Sequence, residues 1–102
     1  MMRIVNSNEF AEVTKEGLVL VDFFANWCRP CRMMSPVLEE IEEEIEALTV
    51  VKVDTDEDGA LAAKYGVQSI PNMILFKDGK PVDQIIGFTP KEDCVETIEK
   101  YV

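Results

Sequence analysis

Two cysteines two residues apart, Cys28 and Cys31, carry the most chemistry in this chain; they lie between an apolar run and a helical pattern in the stretch VDFFANWCRPCRMMSP. Three chemistries use such a pair: metal ligation, a structural cross-link and thiol redox exchange. Structural zinc needs four ligands, and the sequence offers Cys28, Cys31, the distant Cys94, no histidine and otherwise only carboxylates, so no metal site is expected. A staple is weak for another reason. Closing a ring of four residues restricts the unfolded chain by only about 2 kcal/mol, against nearly ~5 kcal/mol for a ring of about 100 residues. Redox exchange fits better, because Cys28 falls where a strand gives way to a helix. The free N–H groups and partial positive charge of a helix N-terminus stabilise a thiolate, and the thiolate is the form that attacks a disulfide. Cys31, about one helical turn on, is placed to attack the mixed disulfide that Cys28 would form. Pro30 suits the first helical turn, where its missing N–H needs no partner, and holds the two sulfurs near bridging geometry.

The flanking elements must hold that pair in place. LVLVDFFA (18–25) is nearly all apolar, β-branched or aromatic, which predicts a strand buried on both faces. From Arg29 to about Leu48, apolar residues at Met34, Val37, Leu38, Ile41, Ile45 and Leu48 recur at helical spacing, and glutamates fill the solvated face between them. Pro36 lies inside this pattern and should kink the helix, since the periodicity resumes beyond it. Upstream, Asn6 and Glu9 have the spacing of a capping box for a short helix to about Lys15, which Gly17 ends. Downstream, LTVVKVDTD (48–56) predicts a second buried strand, parallel to the first across the intervening helix, and residues 57–66 predict a short helix closed by Gly66. NMILFKDGKPVDQIIG (72–87) predicts a hairpin turning at Asp78-Gly79, and Thr89 as cap with Pro90 at the first helical position predicts a terminal helix. Strands interleaved with helices define an α/β domain.

Composition narrows the partners. A chain of 102 residues, 47% hydrophobic, is expected to form one domain over 1–102 without needing cross-links. Its 20 acidic against 10 basic residues give a net charge of -10, which repels phosphate backbones and anionic lipid. Neither nucleic acid nor a membrane is an expected partner. The start MMRIVNSNEF lacks the apolar stretch of a secretory signal, and no apolar run approaches the ~20 residues that span a bilayer. A cytoplasmic setting is expected, where cysteines stay reduced unless they are catalytic.

Taken in order, VDFFA, WCRPC, RMMSPVLEEI, VKVDTDED, AAKYGVQSIPN, ILFKDGK and IIGF closely resemble the thioredoxin family over essentially the whole chain. Trp27 before the cysteines, Pro36 after them and Ile70-Pro71 about forty residues on make that resemblance specific. It implies a central mixed sheet of five strands flanked by four helices, no cofactor, and activity as a monomeric protein-disulfide reductase. The implied partners are client proteins with disulfides and a thioredoxin reductase that restores the dithiol. Disulfide oxidation or isomerisation, and a purely non-enzymatic interaction module, are the competing readings.

The resemblance also assigns the remaining residues. Asp22 interrupts the most apolar strand; residue type alone leaves it either a strand edge reaching water or a buried functional acid. By resemblance it is the buried acid that takes or relays the proton of Cys31, and Lys52 is the lysine beside it, against the alternative of a stem that snorkels to water. Pro71 is implied to be cis, with the Ile70 backbone pairing to an extended substrate segment. Trp27, Pro71 and Gly87 are implied to line a shallow apolar groove, although a core role for Trp27 and a plain strand end at Gly87 stay open. Cys94, on the terminal helix, reads as a small buried hydrophobe. Arg29 departs from the family, which usually has glycine there. Its charge should favour the Cys28 thiolate and places a cation at the contact surface. Phe24 and Asn72 depart too, from a second tryptophan and a threonine.

Overall fold

The computed structural model describes residues 2–102. In chain order it contains β1 (Arg3–Ile4), α1 (Ser7–Thr14), β2 (Leu18–Phe24), α2 (Arg29–Glu44), β3 (Leu48–Asp54), α3 (Gly59–Lys64), β4 (Asn72–Lys77), β5 (Lys80–Ile86) and α4 (Lys91–Glu99). The strands form one sheet in the order β1-β3-β2-β4-β5. β1 and β2 run parallel to β3, and β4 and β5 are antiparallel, so the sheet is mixed as expected.

β2 is central because every one of its residues is buried. Side chains alternate across a strand, so Leu18 and Leu20 face one layer and Val19, Val21 and Phe23 the other. Leu18 and Leu20 pack with Met34, Leu38 and Ile41 of α2 and with Cys94 and Ile98 of α4. Val19, Val21 and Phe23 pack with Phe10 of α1 and with Leu61 and Ala62 of α3. Two helical layers therefore sandwich the sheet, and Asp22, in phase with Leu18 and Leu20, points toward the α2 layer.

The capping box at α1 is complete: the Asn6 side chain accepts from the Asn8 and Glu9 N–H groups, and the Glu9 carboxylate accepts from the Asn6 N–H at 3.0 Å. Replacing such a cap by alanine costs about 1 kcal/mol. Asn6→Ala is expected to lower the urea midpoint by that amount of stability with an unchanged slope, and a changed slope would mean that the native fold itself had shifted. At the hairpin, Asp78 and Gly79 both adopt positive φ, 50° and 86°, as a two-residue turn requires. Asp78 also exchanges hydrogen bonds with Gly17 at the start of β2, its N–H donating at 2.9 Å and its carboxylate accepting at 2.8 Å.

Three details differ from the sequence reading. α2 stops at Glu44, and Ile45 turns to extended backbone with its N–H on the Ile41 carbonyl. Ile45 and Leu48 are buried, as their periodicity implied, but in the connection and the next strand. The start of α4 is also shifted: Pro90 is the cap, and the Thr89 hydroxyl donates to the Gly87 carbonyl at 3.1 Å. α3, finally, is a shorter helix than 57–66. Pro36 sits inside a continuous α2.

Candidate active site

Cys28 and Cys31 form a disulfide with their Cα atoms 5.3 Å apart. Cys28 is the N-cap of α2, and its Sγ accepts from the Cys31 N–H at 3.2 Å. A sulfur thus occupies the place where serine or asparagine usually presents an oxygen to a free helical N–H. An anionic sulfur in that place would be favoured by the same N–H and by the helix dipole. Both sulfur-bearing residues are almost wholly buried in a cluster with Phe24, Ala25 and Ile70. Pro30 stands in the first turn of α2, exposed beside the equally exposed Arg29.

The Ile70–Pro71 peptide is cis. It places the Ile70 carbonyl 3.9 Å from Cys28 Sγ, and the Pro71 carbonyl accepts from the Gly87 N–H at 2.7 Å. Gly87 has φ +83°, with open space where a Cβ would stand, so backbone conformation rather than crowding favours glycine there. Among the described residues, no backbone group pairs with the Ile70 N–H or carbonyl. A short extended segment would find a free donor and acceptor beside the bridge. Trp27 is 70% exposed, which removes the core reading, and its indole N–H donates to Asp56 Oδ2 at 3.0 Å.

On the same strand that leads to the pair, Asp22 is fully buried, and among the described residues neither carboxylate oxygen has a hydrogen-bond partner. That burial pushes its pKa from 3.8 up to about 7, a rise that the Lys52 charge moderates. Asp22 and Lys52 are register partners on β2 and β3. The Lys52 ammonium is not paired with the carboxylate; it donates to Ser35 Oγ at 2.9 Å and lies 4.3 Å from the centre of the Phe24 ring. Lys52, Ser35, Phe24 and Cys31 line a cavity of about 50 Å³, large enough for water. Cys94 is buried on α4, where burial and then the charge of Asp93 raise its thiol to about 11, so it stays a protonated small hydrophobe.

Sequence reasoning missed Ser35, Asp56 and the position of the Phe24 ring under Lys52. Ser35 had a signal, since it lies one turn beyond Cys31 on the same face of α2. Asp56 had none, because nothing in VDTDED marks which acid meets the indole.

A cysteine pair bridged at the N-terminus of a helix, with a cis-proline beside it, on a mixed sheet whose central strand carries a buried acid, defines a dithiol–disulfide oxidoreductase. Comparison with known proteins agrees with that class. The thioredoxin family model matches residues 1–100. A thioredoxin of Listeria monocytogenes is 52% identical over the full length of both chains, and one of Chlamydia caviae is 45% identical over 99% of each. Among solved structures, a mutant thioredoxin of Halobacterium salinarum superposes with TM-score 0.92 at 39% identity, covering 97% of this chain and 88% of that one. The chain belongs to the thioredoxin family. It is a thiol–disulfide oxidoreductase of the protein-disulfide reductase kind, and among its described residues no helix is long and apolar enough to cross a membrane.

Proposed function

We propose that residues 1–102 act as one monomeric thioredoxin domain that reduces client protein disulfides in the cytoplasm and is recharged by a thioredoxin reductase. The observation that carries the reading is the Cys28–Cys31 bridge at the N-terminus of α2, with the Cys31 N–H on Cys28 Sγ. In the first step the Cys28 thiolate attacks one sulfur of the client disulfide; an S–S bond forms to Cys28 and the other client sulfur leaves as a thiolate. In the second, Cys31, losing its proton, attacks Cys28 Sγ and expels the second client thiolate. Two electrons pass to the client, whose thiolates take up protons, and the Cys28–Cys31 bond is formed again.

Asp22 takes or relays the Cys31 proton in the second step, because a carboxyl with a pKa of about 7 is half-protonated at neutral pH. Lys52 tunes that acid from the neighbouring strand. Trp27, Arg29, Pro30, Ile70, Pro71 and Gly87 form the client contact, with the free Ile70 N–H and carbonyl offered to an extended segment.

The reduction potential separates reductase from oxidant or isomerase. Thioredoxins as a class sit near about −270 mV and protein disulfide isomerase near about −180 mV, and these class values set the scale. Equilibration against a glutathione or dithiothreitol buffer is expected to place this pair near the lower value; a potential at or above the higher one would overturn the reductase reading. Arg29→Gly is expected to lower the potential by about 6–20 mV, the equivalent of about 0.3–1 kcal/mol of thiolate stabilisation by an exposed charge. Equal potentials, or a more oxidising variant, would remove Arg29 from that role.

A further inference from the structure

α2 carries its charges against its own dipole. Arg29 and Arg32 stand in its first turn, and Glu39, Glu40, Glu42, Glu43 and Glu44 fill its C-terminal end, with no acid in the first turn and no base in the last. A helix dipole favours the reverse arrangement, so both ends cost the helix stability. At the acidic end the cost is partly offset: Lys91 reaches from α4 to both Glu40 and Glu44. At the other end there is no such relief. Among the described residues neither arginine pairs with a carboxylate, and the one polar contact of the two is Arg32 Nη1 donating to the Asn26 carbonyl at 2.8 Å. The Asp56 carboxylate is engaged by the Trp27 indole. Uncompensated charge placed against local preference is the mark of a surface kept for a partner rather than for folding.

We propose that Arg29 and Arg32 form a carboxylate-reading rim on the Cys28–Cys31 bridge, so that the preferred clients are disulfides flanked by Asp or Glu. The proposal rests on the protein-disulfide reductase reading and names its substrate class. Residues three apart on a helix have Cβ atoms about 5–6 Å apart, so Arg29 and Arg32 leave α2 as neighbours, and each guanidinium, Arg32 beyond its one bond to the Asn26 carbonyl, has donors to spare for a carboxylate. Arg29 directly follows the attacking cysteine, which puts the readout beside the scissile S–S bond rather than elsewhere on the client. The exposed Met33, one turn beyond Arg29, supplies apolar contact on the same face.

The rim must act against the overall charge of -10. The two effects differ in range. At 0.15 M ionic strength charges are screened within about 8 Å, so a flanking residue docked at the rim meets the arginines while the distant glutamates are largely hidden from it. At low salt the long-range repulsion reaches farther and opposes the rim. Selection is therefore for acidic residues next to the disulfide, not for acidic proteins as a whole.

The test uses three synthetic peptides with the same intramolecular disulfide loop, flanked by glutamate, glutamine or lysine, and the chemically reduced full-length protein at 0.15 M salt. The second-order rate constant for the glutamate peptide is expected to exceed that for the lysine peptide by at least about threefold, and the ratio to approach one at 1 M salt. In the doubly substituted Arg29→Gln, Arg32→Gln protein the ratio at 0.15 M should fall to about one, and in Arg29→Glu, Arg32→Glu it should invert. A wild-type ratio below threefold, or one that survives the double substitution, overturns the rim. Failure of the wild-type protein to reduce even the glutamine peptide would instead overturn the reductase reading itself.

Discussion

Reduced Cys31→Ser protein is expected to attack client disulfides and then stop, accumulating as a covalent adduct through Cys28. The first step needs only the Cys28 thiolate, whose capping contact is the backbone N–H of residue 31 and survives the substitution. The second step needs a second sulfur, and no other can reach. Cys31 is 2% exposed and Cys94 is fully buried on α4. A nucleophile held beside its target acts at an effective concentration that can reach on the order of 10⁵ M, far above any thiol in solution. Removing it should slow multiple turnover at least about a thousandfold when no thiol is added to the assay. The measurement is turnover of a client disulfide together with non-reducing electrophoresis, in which the adduct appears as a band that added dithiothreitol removes. Serine fills nearly the same volume, so loss of folding does not confuse the result. No client turnover by either the wild-type or the Cys31→Ser protein, with no adduct formed, would leave only a surface-docking role for the fold, and the thiols would not be its working part.

How far the sequence disclosed this site depends on how local each determinant is. The bridge was legible because its parts are adjacent in the chain: a β-branched run, two cysteines at one-turn spacing, and a helical period that begins between them. The capping box at Asn6 and Glu9 and the Asp78-Gly79 turn were legible for the same reason, since each satisfies its own backbone within four residues. Boundaries failed where a buried position serves two elements. Ile45 and Leu48 keep the helical period although the chain has left the helix, because the core they enter accepts either path. Thr89 has the residue type of a cap, but its hydroxyl is drawn to the Gly87 carbonyl, and Pro90 caps α4 without a side-chain bond.

Long-range placement was less legible. The cis state of Ile70–Pro71 and the roles of Asp22 and Lys52 came from family resemblance, and residue type alone left Asp22 undecided between a wet edge and a dry core. Only the sheet order settles its burial, because β3 and β4 flank β2 on both sides and α2 covers the face toward which Asp22 points. The pairing of Lys52 with Ser35 and the Phe24 ring was invisible for a similar reason: it joins three elements, and its geometry depends on the rotation of α2 against the sheet.

Asp22→Asn is expected to stabilise the oxidised protein at pH 8 by on the order of 4 kcal/mol and to leave it near parity at pH 4. The sign follows from where the carboxyl titrates. In the unfolded chain it ionises near 3.8, and in the folded protein burial holds it protonated up to about 7. Below the lower value both states carry the proton and pH has no effect. Between the two values the folded state binds one more proton than the unfolded state, so stability falls as pH rises, by about 1.4 kcal/mol per unit. Above the upper value both states have lost the proton and the cost is constant. Asparagine does not titrate, so urea unfolding of the variant should show none of this slope; parallel pH profiles for the two proteins would mean that Asp22 is not a buried titrating acid. A carboxylate so costly to the fold at neutral pH is kept for something other than stability. Its expected use is in resolution: single-turnover kinetics of the Asn variant should show attack by Cys28 largely intact and release of the second client thiol slowed by about tenfold to a thousandfold, the range over which a positioned acid–base group acts. Release at the wild-type rate, with the stability change present, would leave Asp22 a buried acid with no part in moving the Cys31 proton.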